Sequence, residues 1–371
     1  MRVLVMAEQL RRAVPGGIGT YVEGLATGLA GLADRPEIAL LASRGPDPDP
    51  LERFGLPVLR LPLPGPLQQR AWDAGLAPLR ARCDLVHATS LAIPRTAGAI
   101  PRTAGGIPPA DGPAVLATVH DLAWRRLPCA FPARGRRWHE AALARALRRC
   151  RGFVVPSTAT AEALVGAGAP EGAVEVIEEG ADHLPEPDHA GAAALLDRLG
   201  VTGRFAACVG TREPRKNLPR LLAAWSRARP RLPPGWQLVV VGPPGWGPGP
   251  VPGDGVAMAG RVSPAVLAAL YVRAALVAYV PLLEGFGLPA VEAMRAGAPV
   301  VASPMPSTGG AALEVDPTDE AAIAEGLVSA ATDEPLRARL VASGSARAAG
   351  LTWDATAAAH VALWHRTLAE R

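Results

Sequence analysis

Tyr279-Val-Pro-Leu-Leu-Glu-Gly-Phe-Gly-Leu-Pro-Ala-Val-Glu-Ala-Met-Arg-Ala-Gly-Ala-Pro-Val-Val-Ala-Ser303 is the stretch whose reading decides the fold. The apolar run that leads into it, Ala274 to Val280, has the length and flanks of a buried parallel strand. Pro289 stands where a helix begins, because its missing N–H is no loss in a first turn. Gly297 and Pro299 stand where that helix ends. Val300 to Ala302 reads as the next strand. The order is strand, loop, helix, strand, with the loop at the carboxyl end of a parallel strand, where open α/β sheets take ligands.

The loop carries Glu284, Gly285, Phe286 and Gly287. Two glycines around one aromatic let backbone approach a ligand closely. The free N–H groups at the helix start, around Leu288 to Val291, favour an anion. Glu284 flanks that anion on the loop, and Glu292, one turn into the helix, can accept from hydroxyls. An anion with a polyol on each side fits a nucleotide sugar. Two glutamates eight apart carry no information alone, and for the pair by itself a simple helix cap with incidental glutamates is the stronger reading.

The whole string carries more. Glu284 to Glu292, inside Glu-Gly-Phe-Gly-Leu-Pro, resembles the Glu-x7-Glu signature of retaining, nucleotide-sugar-dependent glycosyltransferases of family 4, bacterial group 1 type. The resemblance extends over most of the chain. It implies an α/β fold of the GT-B type: two Rossmann-like domains facing across a cleft, with a C-terminal helix crossing back. On that pattern residues 1–183 form an acceptor-binding domain, 184–352 a donor-binding domain and 353–371 the returning helix.

Composition is compatible. A chain of 371 residues allows two domains, and 49% apolar residues supply their cores. Cys83, Cys129, Cys150 and Cys208 show neither metal spacing nor a paired framework, so a reducing cytoplasm is expected. Residues 2 to 7 are too short for a signal h-region, and no run approaches the ~18 apolar residues of a membrane span. The net charge of +4 is carried almost wholly by arginine; Lys216 is the only lysine, which makes its position informative.

In the amino-terminal half, Arg2 to Ala7 reads as a first strand. Gly16 and Gly17 follow in a loop before a helix over Thr20 to Leu32, and the resemblance brings that loop to the donor diphosphate. Residues 93 to 106 hold a tandem repeat, Ile-Pro-Arg-Thr-Ala-Gly-Ala then Ile-Pro-Arg-Thr-Ala-Gly-Gly, read as a lengthened exposed loop. His120-Asp121 stands at the carboxyl end of the strand Val115 to Val119. His120 can bond a sugar hydroxyl with Asp121 orienting it, and the resemblance assigns the histidine to the donor sugar. Arg134 to Arg151 carries seven arginines on a helix, with Ala141, Leu143 and Leu147 available for packing. A solvated face accounts for them; the sharper reading is peripheral contact with an anionic membrane. Scarce aromatics argue against nucleic acid.

In the carboxyl-terminal half, Phe205 to Val209 is a strand. Gly210-Thr211-Arg212-Glu213-Pro214-Arg215-Lys216-Asn217 leads from it into a helix capped by Asn217. Cations beside a helix start form a diphosphate clamp, Lys216 as a point charge and arginine as a fork. Family members commonly place arginine directly after the loop glycine. Thr211 stands there, so Arg212 or Arg215 takes over that role. Arg261 and Val262, after Gly260, correspond to the part that lines the nucleobase pocket in the family. The segment 304–315 is a few residues shorter than in the family and lacks a Pro-Glu-Val element, which leaves open a different acceptor or reduced activity.

The resemblance thus implies a retaining hexosyltransferase that needs no metal or other cofactor. Its donor would be a nucleoside-diphosphate sugar, its acceptor a glycan or a lipid-linked glycan. The form Glu213-Pro-Arg-Lys-Asn217 resembles that of bacterial polysaccharide mannosyltransferases, which makes GDP-mannose the first donor to test. A catalytically silent nucleotide-sugar binder and a nucleotide-sugar epimerase stand as alternatives. A dinucleotide oxidoreductase is disfavoured, because no Gly-x-Gly-x-x-Gly follows a strand.

Overall fold

A computed structural model describes residues 1–76, 78–96, 112–245 and 252–370. The second copy of the tandem repeat and Trp246 lie outside the described residues. The chain divides into two compact units: unit 1 is Met1–Gly180 with Thr352–Arg371, and unit 2 is Ala181–Leu351.

Unit 1 contains, in order, β1 (Arg2–Met6), α1 (Gly16–Gly31), β2 (Glu37–Ala42), β3 (Val58–Arg60), α2 (Gly65–Asp73), β4 (Leu85–Ala88), β5 (Ala114–Thr118), α3 (Ala123–Arg126), α4 (Ala133–Arg149), β6 (Gly152–Val155), α5 (Thr158–Gly166) and β7 (Val174–Val176). Unit 2 contains α6 (His189–Arg198), β8 (Phe205–Val209), α7 (Leu218–Ala228), β9 (Gln237–Val241), β10 (Val256–Gly260), α8 (Pro264–Arg273), β11 (Leu276–Tyr279), α9 (Leu288–Arg295), β12 (Val300–Ala302), β13 (Leu313–Glu314), α10 (Glu320–Thr332) and α11 (Glu334–Ala349). The last helix, α12 (Trp353–Ala369), belongs to unit 1.

Both sheets are parallel, and each reverses direction once. Unit 1 runs β3-β2-β1-β4-β5-β6-β7, turning between β1 and β4; unit 2 runs β10-β9-β8-β11-β12-β13, turning between β8 and β11. Helices cover both faces, which is why the strands read as unbroken apolar runs instead of alternating. In unit 1, Leu4, Val86 and Val115 pack under Ala142, Leu143 and Ala146 of α4. Val3, Val5 and Leu40 face the other way, towards α1 and α12. In unit 2, Val209, Val277 and Val300 lie under α8 and α9, whereas Leu238, Leu276 and Val301 lie under α7 and α10. Each such side chain fully buried contributes roughly 1.5–3 kcal/mol.

Three local expectations need correction. The first helix begins four residues early, so Gly16 and Gly17 form its first turn instead of a loop before it. Gly16 takes φ 62°, a left-handed turn that a residue without Cβ adopts freely, and this lets the chain enter the helix directly from Pro15. On α4 the packing residues are Ala142, Leu143 and Ala146, and Ala141 is exposed; one residue rotates the face by about 100°. Asn217 does occupy the cap position of α7, but its side chain makes no capping bond. Its amide instead donates to the carbonyls of Val280 (3.0 Å) and Pro317 (2.7 Å), tying the phosphate-loop candidate to the end of β11.

Candidate donor site

The reversal between β8 and β11 opens a crevice at their carboxyl ends, the position where doubly wound sheets bind ligands. Two loops meet there. The loop after β8 passes through a short 3-10 turn, Pro214–Lys216, and the loop after β11 carries Glu284. Backbone bonding stitches them together: the Leu282 N–H donates to the Arg215 carbonyl at 2.8 Å.

At the junction the Lys216 ammonium donates to Glu284 Oε1 (2.6 Å) and to the Tyr279 hydroxyl (2.7 Å). The Arg215 guanidinium holds Glu284 Oε2 at 3.0 Å and Glu213 Oε1 at 2.6 Å. One carboxylate thus bridges the two cations. Burial opposes its charge, but Arg215 and Lys216 overcome that and hold the Glu284 pKa below the ordinary carboxylate range. Glu213 goes the other way: burial outweighs the same two cations and raises its pKa. Arg212 lines the same small cavity as Gly210, Thr211 and Lys216, and its Nε is buried with no hydrogen-bond partner among the described residues. A buried donor without an acceptor is costly and fits an anion-binding position.

Gly287 begins α9 with φ 103°, and a Cβ there would stand 2.5 Å from the Met305 sulfur. Both constraints require glycine, which lets α9 start directly after the loop. Gly285 and Phe286 precede it, with Phe286 buried in the unit 2 core, and Leu288 opens the helix. Glu292 lies further along α9. It accepts from the Tyr271 hydroxyl (Oε2, 2.7 Å) and pairs with His183 Nε2 (Oε1, 3.1 Å). A carboxylate has about four lone-pair positions, so two remain for a ligand hydroxyl. Arg261 and Val262 follow the edge strand β10, two strand positions from β8; Arg261 is exposed and Val262 packs on the core.

Gly16, Gly17 and His120 belong to unit 1. His120 follows β5, and its ring meets the edge of Tyr21 at 4.8 Å. Its Nε2 donates to the Thr89 carbonyl (3.0 Å), and Nδ1 faces Glu179 Oε1 at 3.4 Å. Burial works against protonation, yet the Glu179 carboxylate, the Thr89 carbonyl and Asp121 together raise the His120 pKa. Glu179 is the carboxylate that faces the His120 ring at Nδ1; Asp121 adds its negative charge to the same surroundings and accepts from the Ala123 N–H at 3.0 Å, just before α3. Sequence reasoning missed Glu179, Tyr279, Tyr271 and His183. Tyr279 was legible as the last residue of a strand that ends at the loop. No spacing links His120 to Glu179, or Glu292 to a histidine in the interdomain segment.

Comparison with known proteins places this geometry. The Glycosyltransferase Family 4 profile matches residues 15–183, and the Glycosyl transferases group 1 profile matches residues 203–333. The chain is 34% identical over 171 residues to O-antigen chain mannosyltransferase B of Escherichia coli, a match covering 40% of this chain and 42% of that protein. Among solved structures, Anabaena HepE in complex with UDP and glucose superposes with TM-score 0.71 at 17% identity, covering 99% of this chain and 100% of that one. Sucrose-phosphate synthase from Thermosynechococcus elongatus superposes with TM-score 0.72 at 21% identity, each chain covered in full (100%). At these identities the likeness bears on the fold alone, the two-domain α/β GT-B fold expected from the sequence. With both halves matched by their own family profiles, the chain belongs to glycosyltransferase family 4, group 1.

Proposed function

We propose that the protein is a retaining, metal-independent glycosyltransferase that moves a hexose, with mannose the first candidate, from a nucleoside-diphosphate sugar to a glycan or lipid-linked acceptor. The observation that carries this reading is the bridge from Lys216 and Arg215 to Glu284 at the β8/β11 reversal. Two cations beside the start of α9 neutralise a diphosphate leaving group without a metal. The C1–O bond to phosphate breaks, the acceptor oxygen bonds C1 on the same face, and the acceptor proton passes to the departing phosphate. Glu292 takes the ribose hydroxyls; Glu284 and His120 are the donor-sugar contacts that carry over from the family. The mannosyltransferase relative supports mannose as donor sugar.

The test is a thermal-shift panel of GDP, UDP, ADP and TDP, each with and without EDTA. A ligand that binds only the folded state raises the melting temperature. One nucleotide that stabilises regardless of EDTA, followed by turnover of its sugar conjugate, supports the reading. Shifts that all need a divalent ion would remove the metal-free site, and donor binding without turnover would leave a silent binder.

A further inference from the structure

Unit 1 holds a second candidate site at its own sheet reversal. A cavity of about 1080 Å³ opens beside Met6, Ser43 and Thr89, the residues at or just past the carboxyl ends of β1, β2 and β4. That volume lies just above the usual range for small-molecule sites, about 300–1,000 Å³. Its charged lining is lopsided: Arg11, Arg12, Arg44, Arg70 and Arg134 face Glu8, Asp49 and Asp73.

The three carboxylates are already engaged. Glu8 accepts from the Ser43 N–H (2.7 Å) and hydroxyl (2.9 Å). Asp49 accepts from Arg11 (2.5 Å) and Arg60 (3.0 Å). Asp73 accepts from Arg145 (2.5 Å) and from the Trp138 indole (3.0 Å). Arg60 and Arg145 come from outside the lining and pair with Asp49 and Asp73, which leaves Glu8 as the one lining carboxylate without a cation among the described residues. Arg12, Arg44, Arg70 and Arg134 form no ion pair among the described residues. They come from four separate segments: the turn after β1, the end of β2, α2 and α4. Four unpaired guanidiniums around one concavity repel one another and focus a positive field into it. Guanidinium forks match phosphate oxygens two at a time.

We propose that this cavity binds a phosphate-bearing ligand, and that the acceptor of the transfer is accordingly an anionic phosphoester. Two sources share that chemistry: a sugar phosphate, and a lipid diphosphate whose apolar tail would meet Val14 and Leu67, which are 51% and 50% exposed on segments that line the cavity. The assignment rests on the transferase reading only in calling the ligand an acceptor; binding is measured without donor.

The experiment titrates the full chain with mannose 6-phosphate, farnesyl diphosphate and the neutral control methyl mannoside. The comparison proteins are Arg44→Ala/Arg134→Ala, two exposed positions, and Lys216→Ala. Expected is binding of at least one phosphate probe but not the neutral sugar. The double variant should weaken it roughly tenfold or more, from the loss of charged hydrogen bonds, and Lys216→Ala should leave it unchanged. Tighter binding of farnesyl diphosphate assigns the lipid source, and tighter binding of mannose 6-phosphate the soluble one. Binding of neither phosphate probe, binding matched by methyl mannoside, or equal affinity in the double variant overturns the proposal. Nucleoside diphosphate affinity, scored separately against Lys216→Ala, reports on the donor site whichever way this result falls.

Discussion

Trp364 on α12 donates its indole N–H to Nδ1 of His87 on β4, 3.1 Å away and 277 positions earlier in the chain. That bond fixes the direction of a buried network. His87 then carries its hydrogen on Nε2 and donates to the Thr118 hydroxyl (2.9 Å). Thr118 donates to Tyr21 (2.9 Å), and Tyr21 donates to His360 Nε2 (2.8 Å). His360 Nδ1 donates to the Thr356 carbonyl (2.7 Å), which sets its tautomer independently. Every donor finds an acceptor only if both histidines are neutral.

The first prediction concerns acid. Burial drives the His87 pKa well below its ordinary value and that of His360 to about 4. Below about pH 6.5 the unfolded chain binds protons that the folded chain refuses, so stability rises with pH. The His360 contribution is whole above about 6.5 and drains away towards about 4, and that of His87 is lost in the same direction as pH falls. His120, with a raised pKa, has the opposite sign: its contribution is present below about 6.5 and is lost as pH rises through its folded value. The melting temperature should fall between about pH 7 and about pH 4.5, and less steeply in His360→Gln, which does not titrate. Parallel curves for both proteins would remove His360 as a titrating group.

Glu284→Gln leaves Lys216 and Arg215 without their shared anion. Arg215 keeps Glu213, but Lys216 loses its carboxylate, and a cation left uncompensated in a mostly buried cluster destabilises the fold. The variant should therefore melt lower than the parent, and nucleoside diphosphate should restore more of the loss than it adds to the parent. Diphosphate affinity should rise about threefold while donor turnover falls. Weaker diphosphate binding in this variant would mean that Glu284 does not compete with phosphate.

Lys216→Ala should lower nucleoside diphosphate affinity roughly tenfold or more, the value of a charged hydrogen bond. Calorimetry with an unchanged diphosphate affinity would take Lys216 out of the site.

Glu292→Gln should weaken the nucleoside diphosphate itself, about threefold to tenfold for one hydrogen bond. It should have no separate effect on the sugar step, since its proposed partner is ribose. A variant that binds nucleotide normally and loses only turnover would reverse the roles of the two glutamates.

Gly28→Ala tests how α12 is seated. A Cβ at Gly28 would lie 2.4 Å from the Trp353 carbonyl oxygen, a backbone atom that no rotamer can move. Alanine gains about 1 kcal/mol of helix propensity, but displacing α12 costs about 1–3 kcal/mol, so the melting temperature should fall by a few degrees.

Much of this was legible because buried parallel strands are apolar throughout and end abruptly at polar loops. β8, β11 and β12 could be read for that reason, as could the loop carrying Glu284 and the helix start at Leu288. What the chain order hides is pairing. Lys216 and Glu284 were both marked, yet only the packing of two loops shows that they neutralise each other before any ligand arrives. Asn217 reads as a cap by residue type, and the carbonyls of Val280 and Pro317 outbid the helix for its amide. The α4 packing face slipped by one residue, because alanines at 141, 142, 144 and 146 give the helical period little contrast.

Unit 1 is discontinuous in the chain: its final helix follows all of unit 2. During synthesis, Tyr21, His87 and the glycine face of α1 leave the ribosome long before Trp353, His360 and Trp364. At ~5–20 residues per second the interval between residue 180 and residue 364 is on the order of ten to forty seconds. Unit 2, continuous from Ala181 to Leu351, can complete its fold within that time, whereas one face of the first sheet waits with α1 in place and its α12 cover missing. The order of maturation is therefore the reverse of the order of translation, and the nascent first half is the stage at which a chaperone would be needed.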